Sequence, residues 1–242
     1  MKKTTFFLAT LCSALLLSSC NNEKADATTA TESTMETATT DAAAGSGSMA
    51  GMDHSKVSSE TSTSESPMLM AMNDMMAKMD AMKMKGNTDH DFAHMMLEHH
   101  KGALAMADLE LRDGKDATMR QMAEKIKADQ QKEISELEPI AERLDSAPNN
   151  YKPMDPIDPF TSKMKASMDG MMQNLPSMVA DPDMNFNMMM TVHHQSAVDI
   201  AKAELAHGKD TKLKEMAQMM IDAQQKEIAE FKAWHGKNAD KM

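Results

Sequence analysis

Residues 92–103 read FAHMMLEHHKGA, and residues 186–197 read FNMMMTVHHQSA. Each stretch sets two thioethers four residues ahead of two imidazoles: Met95 with His99, Met96 with His100, Met189 with His193 and Met190 with His194. Residues four apart are neighbours on a helix face, so each pair can aim a sulfur and a nitrogen at one point. Thioether sulfur is soft and neutral and favours Cu(I) or Ag(I), whereas imidazole also suits Cu(II). Zinc would more often recruit cysteine or carboxylate beside histidine. Methionine loses no proton on binding, so such sites persist in mildly acidic surroundings. The residues therefore suit Cu(I), with Ag(I) and Cu(II) as further candidates.

A helical projection at 100° per residue centres His99 among Phe92, Met95, Met96, Ala103, Met106, Ala107 and Glu110, with His100 at the edge of that stripe. His193 is centred likewise among Phe186, Met189, Met190, Ala197, Ile200 and Glu204. On the helix that follows each, Gln130 with Glu133, and Gln224 with Glu227, fall inside apolar stripes. Buried polar groups need partners. Glu133 and Glu227 are expected to accept from imidazoles on the facing helix, the arrangement that orients metal-binding histidines, with Gln130 and Gln224 beside them. If His99 and His193 were merely structural, glutamate would be what holds them.

Other candidates are less sharply defined. His90 and His94 are also four apart but face away from His99, and Met184 and Met188 stand at the equivalent positions later in the chain. They are candidates for a separate surface site. Methionine stripes at Met72, Met75, Met76 and Met79, and at Met168, Met171 and Met172, suit either core packing or ligation. The island MAGMDHS adds Met49, Met52 and His54. His207 and His235 read as helix-end histidines favoured by the macrodipole.

The elements that would carry these groups are helices. Met68, Met72, Met75, Met76, Met79 and Met82 recur at helical spacing from Pro67, and KGNTD at 85–89 interrupts them. A second helix is expected from about Asp89 to Arg112, ending near Gly114, and a third from Ala117 to Leu144. At a fixed offset of 94, Phe92 matches Phe186, the HH pairs match, GKD at 114–116 matches 208–210, and QQKEI at 130–134 matches 224–228. The leading methionine stripe matches at an offset of 96, through Met164, Met168, Met171, Met172 and Met178. Nothing alternates as a strand would. The expected fold is all-α: two tandem helical hairpins forming a four-helix bundle, with the methionine-rich helices on its end or side. The expected organisation is a leader at 1–19, a tether at 20–66, a first helical repeat at 67–145, a Pro-rich linker at 146–163 and a second repeat at 164–242, with 67–242 as one domain.

Composition sharpens the reading. The chain of 242 residues has 31 Met against 6 Phe, 1 Tyr and 1 Trp. Methionine specifies a core poorly, so its excess asks for a reason beyond packing. The first twenty residues have the form of a secretory leader, and Leu17-Ser18-Ser19-Cys20 resembles a bacterial lipoprotein signal in which Cys20 is lipidated. Loss of 1–19 would remove Cys12, leave no free thiol, and give a net charge of −13 from 24 basic and 37 acidic residues. Nucleic acid is then an unsuitable partner and cations a suitable one. Residues 21–66 hold too little apolar surface to offset ordering entropy and are expected to be a disordered tether.

The run of Phe, a Met pair, HH, a small residue, an ALAMA-like segment, a Gly turn and QQKEI resembles the bacterial family known as domain of unknown function 305, ferritin-like and CopM-like. The resemblance implies an envelope copper-binding protein with a role in metal tolerance. It implies Met95, Met96, His99 and His100, then Met189, Met190, His193 and His194, as ligands. Met106 belongs to the ALAMA run, and Ile200 replaces it in the second half, which implies weaker binding there. A copper efflux pump or a chaperone would be a fitting recipient. Two other functions compete. A ferritin-like di-metal oxidase would use Glu110, Glu133 and His99, but its Glu-x-x-His motif is met only at Glu204–His207. A metal-free interaction module would use the methionines as an adaptable surface. No nucleophile triad, phosphate loop or dinucleotide fingerprint is present, so the reading is of a binding protein rather than an enzyme.

Overall fold

A computed structural model describes residues 66–241. The expected leader, the lipidation site Cys20, the tether up to residue 65, and Met49, Met52 and His54 lie outside the described residues. Six α-helices follow in order: α1 Pro67–Asp80, α2 Thr88–Asp113, α3 Ala117–Leu144, α4 Pro159–Gln173, α5 Pro182–His207 and α6 Thr211–Lys237. A short 3-10 turn, Ala239–Lys241, closes the chain's described part, and no strand occurs among the described residues. The fold is all-α.

Acidic and amide caps start most of these helices. Asp116 accepts from the backbone N–H of Thr118 and Met119, Asp181 from Met184, and Asp210 from Leu213. Each satisfies donors that the first turn leaves without partners. α4 starts at Pro159, inside the stretch expected to be linker, because Asp158 caps Phe160 and Thr161, Pro159 takes the first helical position, and Phe160 is buried. Met178, which aligns with the stripe, falls beyond the end of α4.

The tight turns at 114–116 and 208–210 fold α2 with α3 and α5 with α6 into antiparallel hairpins. α2 and α5 pack on each other in the middle, α1 lies on α2, and α4 on α5. The methionine-rich helices therefore cover the sides of the bundle. Among the described residues nineteen methionines are buried against four leucines, so thioether is the main core material. Burying each such side chain contributes about 1.5–3 kcal/mol but fixes its shape loosely.

Polar contacts fix the register instead. Asp89, at the start of α2, accepts from the N–H groups of Lys209 and Asp210 after α5, both at 2.7 Å. Asp183, at the start of α5, accepts from Lys115 and Asp116 after α2, at 2.9 and 2.8 Å. The two helices are thus antiparallel, and each hairpin's turn is tied by the other's first turn. Glu110 and Glu204 are buried beside Asp183 and Asp89. Gly114 and Gly208 are extended rather than left-handed; they are glycine because a Cβ would strike the carboxyl of Glu110 or Glu204.

Burial, then the neighbouring aspartates, raises the Glu110 carboxyl to about 8 and Glu204 to about 9. Both are protonated in the fold and ionised in the unfolded chain between pH 4.5 and those values. Their contribution to stability is full below pH 4.5 and is lost as pH rises through 8 to 9. Glu110→Gln with Glu204→Gln should flatten the fall in chemical-denaturation midpoint between pH 5 and pH 9; profiles parallel to the parent's would refute this assignment.

Gly102 lets α1 approach α2. A Cβ there would lie 2.6 Å from Met75 Cγ and 2.9 Å from Met75 Cβ, with Sδ nearer still. Alanine gains up to about 1 kcal/mol in helix propensity, but overpacking costs about 1–3 kcal/mol. Gly102→Ala should lower unfolding free energy on balance, and an equally stable variant would show that this approach is not tight.

Candidate metal centres

The antiparallel packing of α2 on α5 brings four imidazoles, His99, His100, His193 and His194, to complete burial in the thioether core. His99 stacks on His193 with ring centroids 3.7 Å apart and planes 35° from parallel. His193 Nε2 lies 3.0 Å from the backbone oxygen of His99, while neither ring nitrogen of His99 has a hydrogen-bond partner among the described residues. His100 Nε2 sits 2.8 Å from Glu133 Oε2, and His194 Nε2 2.9 Å from Glu227 Oε2. Both contacts are close enough for an ion pair but too bent for a well-aligned hydrogen bond.

The glutamates therefore hold His100 and His194, not His99 and His193. One residue's rotation of 100° takes these second histidines from the α2–α5 contact toward α3 and α6, which also buries the ring expected at the stripe's edge. In the tautomer with its proton on Nε2, each ring would have its Nδ1 lone pair free to ligate. Nδ1 of His100, His193 and His194 is without a protein partner in each case.

Burial, followed by the neighbouring histidines, holds His99 and His193 well below the usual imidazole range. Both are neutral, the form that binds metal. Burial pushes Glu227 up, but His194 and Lys125 outweigh it and hold the carboxyl below its ordinary value. Lys125 Nζ lies 2.7 Å from Glu227 Oε1.

Met95, Met96, Met106, Met189 and Met190 share this core at zero exposure. The first half is richer in sulfur. α1 adds Met75, whose Sδ closes on Gly102 one turn beyond His99. In the second half Ile200 stands for Met106, and Ser196 stands for Gly102, with Ser167 Oγ 2.9 Å from its carbonyl and 3.0 Å from its hydroxyl. Met72, Met76, Met79, Met168 and Met171 are buried packing of α1 and α4, and Met172 is half-buried. Gln130 and Gln224 are buried, and Gln130 Oε1 and both amide atoms of Gln224 lack protein partners.

Gln130, Glu133, Met216, Met220, Gln224 and Glu227 line a groove of about 240 Å³ between α3 and α6. Met219, 53% exposed, stands at its edge. The groove runs from solvent to the carboxylates that touch His100 and His194.

A second cluster lies where α2 begins and α3 ends. His90 and His94 stack with centroids 4.3 Å apart, and Asp145 Oδ1 lies 3.3 Å from His90 Nε2 and 3.1 Å from His94 Nε2. One ligand atom from each of the three lies within 4.8 Å of the others. His90 Nδ1 contacts Asp91 Oδ1 at 2.7 Å. Asp91 is buried and also accepts from the N–H groups of Lys85 and Gly86 and from Tyr151 Oη. Asp91, Asp145 and Tyr151 were not legible as site residues, since only folding brings 145 and 151 to the start of α2.

The sequence matches the family described as Domain of unknown function (DUF305) over residues 16–141 and again over 89–235. No curated protein matches the chain. Among solved structures, one described as CopM in the Ag-bound form (by soaking) is 23% identical, covering 62% of this chain and 96% of that one, with a TM-score of 0.48. CopM in the Cu(I)-bound form is 24% identical over the same shares, with a TM-score of 0.47. A DUF305 fragment from Deinococcus radiodurans is 25% identical, again over 62% and 96%, with a TM-score of 0.46. With matches that together run from residue 16 to residue 235, and with the HH pairs and both QQKEI segments inside them, the chain belongs to the family Domain of unknown function (DUF305).

Proposed function

We propose that this protein binds copper(I) through paired thioether and imidazole ligands in the bundle core, and buffers, stores or hands on the metal. The observation that carries the reading is His99: a fully buried ring with no hydrogen-bond partner on either nitrogen, set among methionines. A buried polar atom left unpaired costs about 1–3 kcal/mol, and ligation to a soft cation would remove that cost. Met95 and Met96 on the same helix face supply the sulfur that Cu(I) or Ag(I) prefers. Carboxylates at Glu133 and Glu227 would draw cations into the α3–α6 groove and orient His100 and His194.

Binding rather than catalysis fits the carboxylates. Glu110 is eleven residues from His99, roughly 16 Å along the helix, and it is engaged with Asp183 at the far turn. A di-metal oxidase built from both is therefore disfavoured. The leader and Cys20 would place the protein in the cell envelope on a lipid anchor, within reach of a copper pump or chaperone.

An anaerobic Cu(I) titration against a competing chelator tests this. In the chain carrying Met95→Leu, Met189→Leu, His99→Gln and His193→Gln, the tightest sites should weaken at least about tenfold with helical content unchanged. Equal affinity in both chains would remove the function from this core. Absence of Cu(I) binding in the parent would leave the metal-free interaction module as the better account.

A further inference from the structure

The cluster of His90, His94 and Asp145 contains no sulfur and lies outside the core just described. Its ligand spacing is informative. Four-coordinate Zn(II) or Cu(II) with bonds of about 2.0–2.2 Å sets neighbouring ligand atoms roughly 2.8–3.6 Å apart, the short end for a square plane and the long end for a tetrahedron. The two histidine nitrogens stand 3.3 and 3.1 Å from Asp145 Oδ1.

The second observation is how His90 is held. Asp91 is locked by two backbone N–H groups and the Tyr151 hydroxyl, with Gly86 turned to φ +87 to direct one of them. A carboxylate so fixed orients the His90 ring through Nδ1 at 2.7 Å and turns Nε2 toward Asp145, whose Oδ1 also hydrogen-bonds His94 Nε2 at 3.1 Å. Carboxylate, imidazole, then an open position is the arrangement that tunes metal-binding histidines.

The cluster is also not a requirement of the fold. Met184, Asn185, Met188 and Ala239 stand at the equivalent positions of the second half. Asn185 there holds its loop without charge, through Val179 N–H and C=O, both at 2.8 Å. The second half forms the same helices with none of the ligands.

We propose that His90, His94 and Asp145 form a separate, sulfur-free site for a borderline divalent cation, Cu(II) ahead of Zn(II). Two imidazoles and one carboxylate suit such an ion, and Cu(II) leads the divalent series for nitrogen and oxygen ligands. Asp145, its side chain 60% exposed, leaves room for water as a further ligand. The Lys85 ammonium donates to the Asp145 backbone carbonyl and not to the carboxylate. The bundle would then hold the oxidised ion at its surface and the reduced ion in its core.

Titration of the full chain with Cu(II) without reductant, read by electron paramagnetic resonance and by chelator competition, tests this independently of Cu(I) binding. The expected result is one equivalent of Cu(II) with nitrogen coupling from two imidazoles. His94→Gln should remove one nitrogen and weaken binding at least about tenfold. Asp145→Asn, an exposed change that spares the fold, should also weaken it. Unaltered spectra and affinity in both variants, loss of the signal only in His54→Gln, or no Cu(II) bound by the parent would each overturn the proposal.

Discussion

An imidazole carried into an apolar interior has to be oriented and its polar atoms supplied with partners, and the centre of this bundle is arranged around four of them. His99 and His193 stack across the α2–α5 contact. Their neighbours His100 and His194 turn outward to glutamates on α3 and α6. Each hairpin thus supplies both a pair of rings and the carboxylate that steers one of them. The groove between α3 and α6 opens where those carboxylates stand.

Methionine makes such a centre tolerable. A core of leucine would impose one shape, whereas flexible thioether chains adapt around the four rings. The cost of that adaptability is weak register, and the fold recovers register through buried polar contacts at the ends of α2 and α5 and through the close approach at Gly102. Specification and adaptability are divided between the ends and the middle of the same helices.

Much of this was legible in the sequence, and the failures have physical causes. The bounds of α3 follow from an aspartate cap and from the apolar period. α4 begins early because Asp158 and Pro159 start a helix inside a stretch whose prolines suggested linker. The sulfur–nitrogen pairs could be read from spacing, since both partners ride one helix. The glutamates' choice of His100 over His99 could not, because it depends on how α3 is rotated against α2. His90 and His94 announced themselves as a pair, but their carboxylate partner sits 51 residues on, and no local pattern marks Asp145. Nor does the period of α2 reveal that Asp91 turns back to organise the loop before it.

The crossed aspartates have a consequence for how the chain holds together. Asp89 secures the turn before α6, and Asp183 the turn before α3. Neither half closes its own turn. A lone half would expose two bare N–H groups, an unaccompanied buried glutamate and an uncovered face of its central helix, and all three needs would be met by a second copy of itself. The fold is in this sense a self-complementary dimer written into one polypeptide. Because both halves lie in one polypeptide, they need not be identical: His90, Asp91 and His94 stand where the other half has Met184, Asn185 and Met188, a difference that a symmetric pair of identical chains could never display.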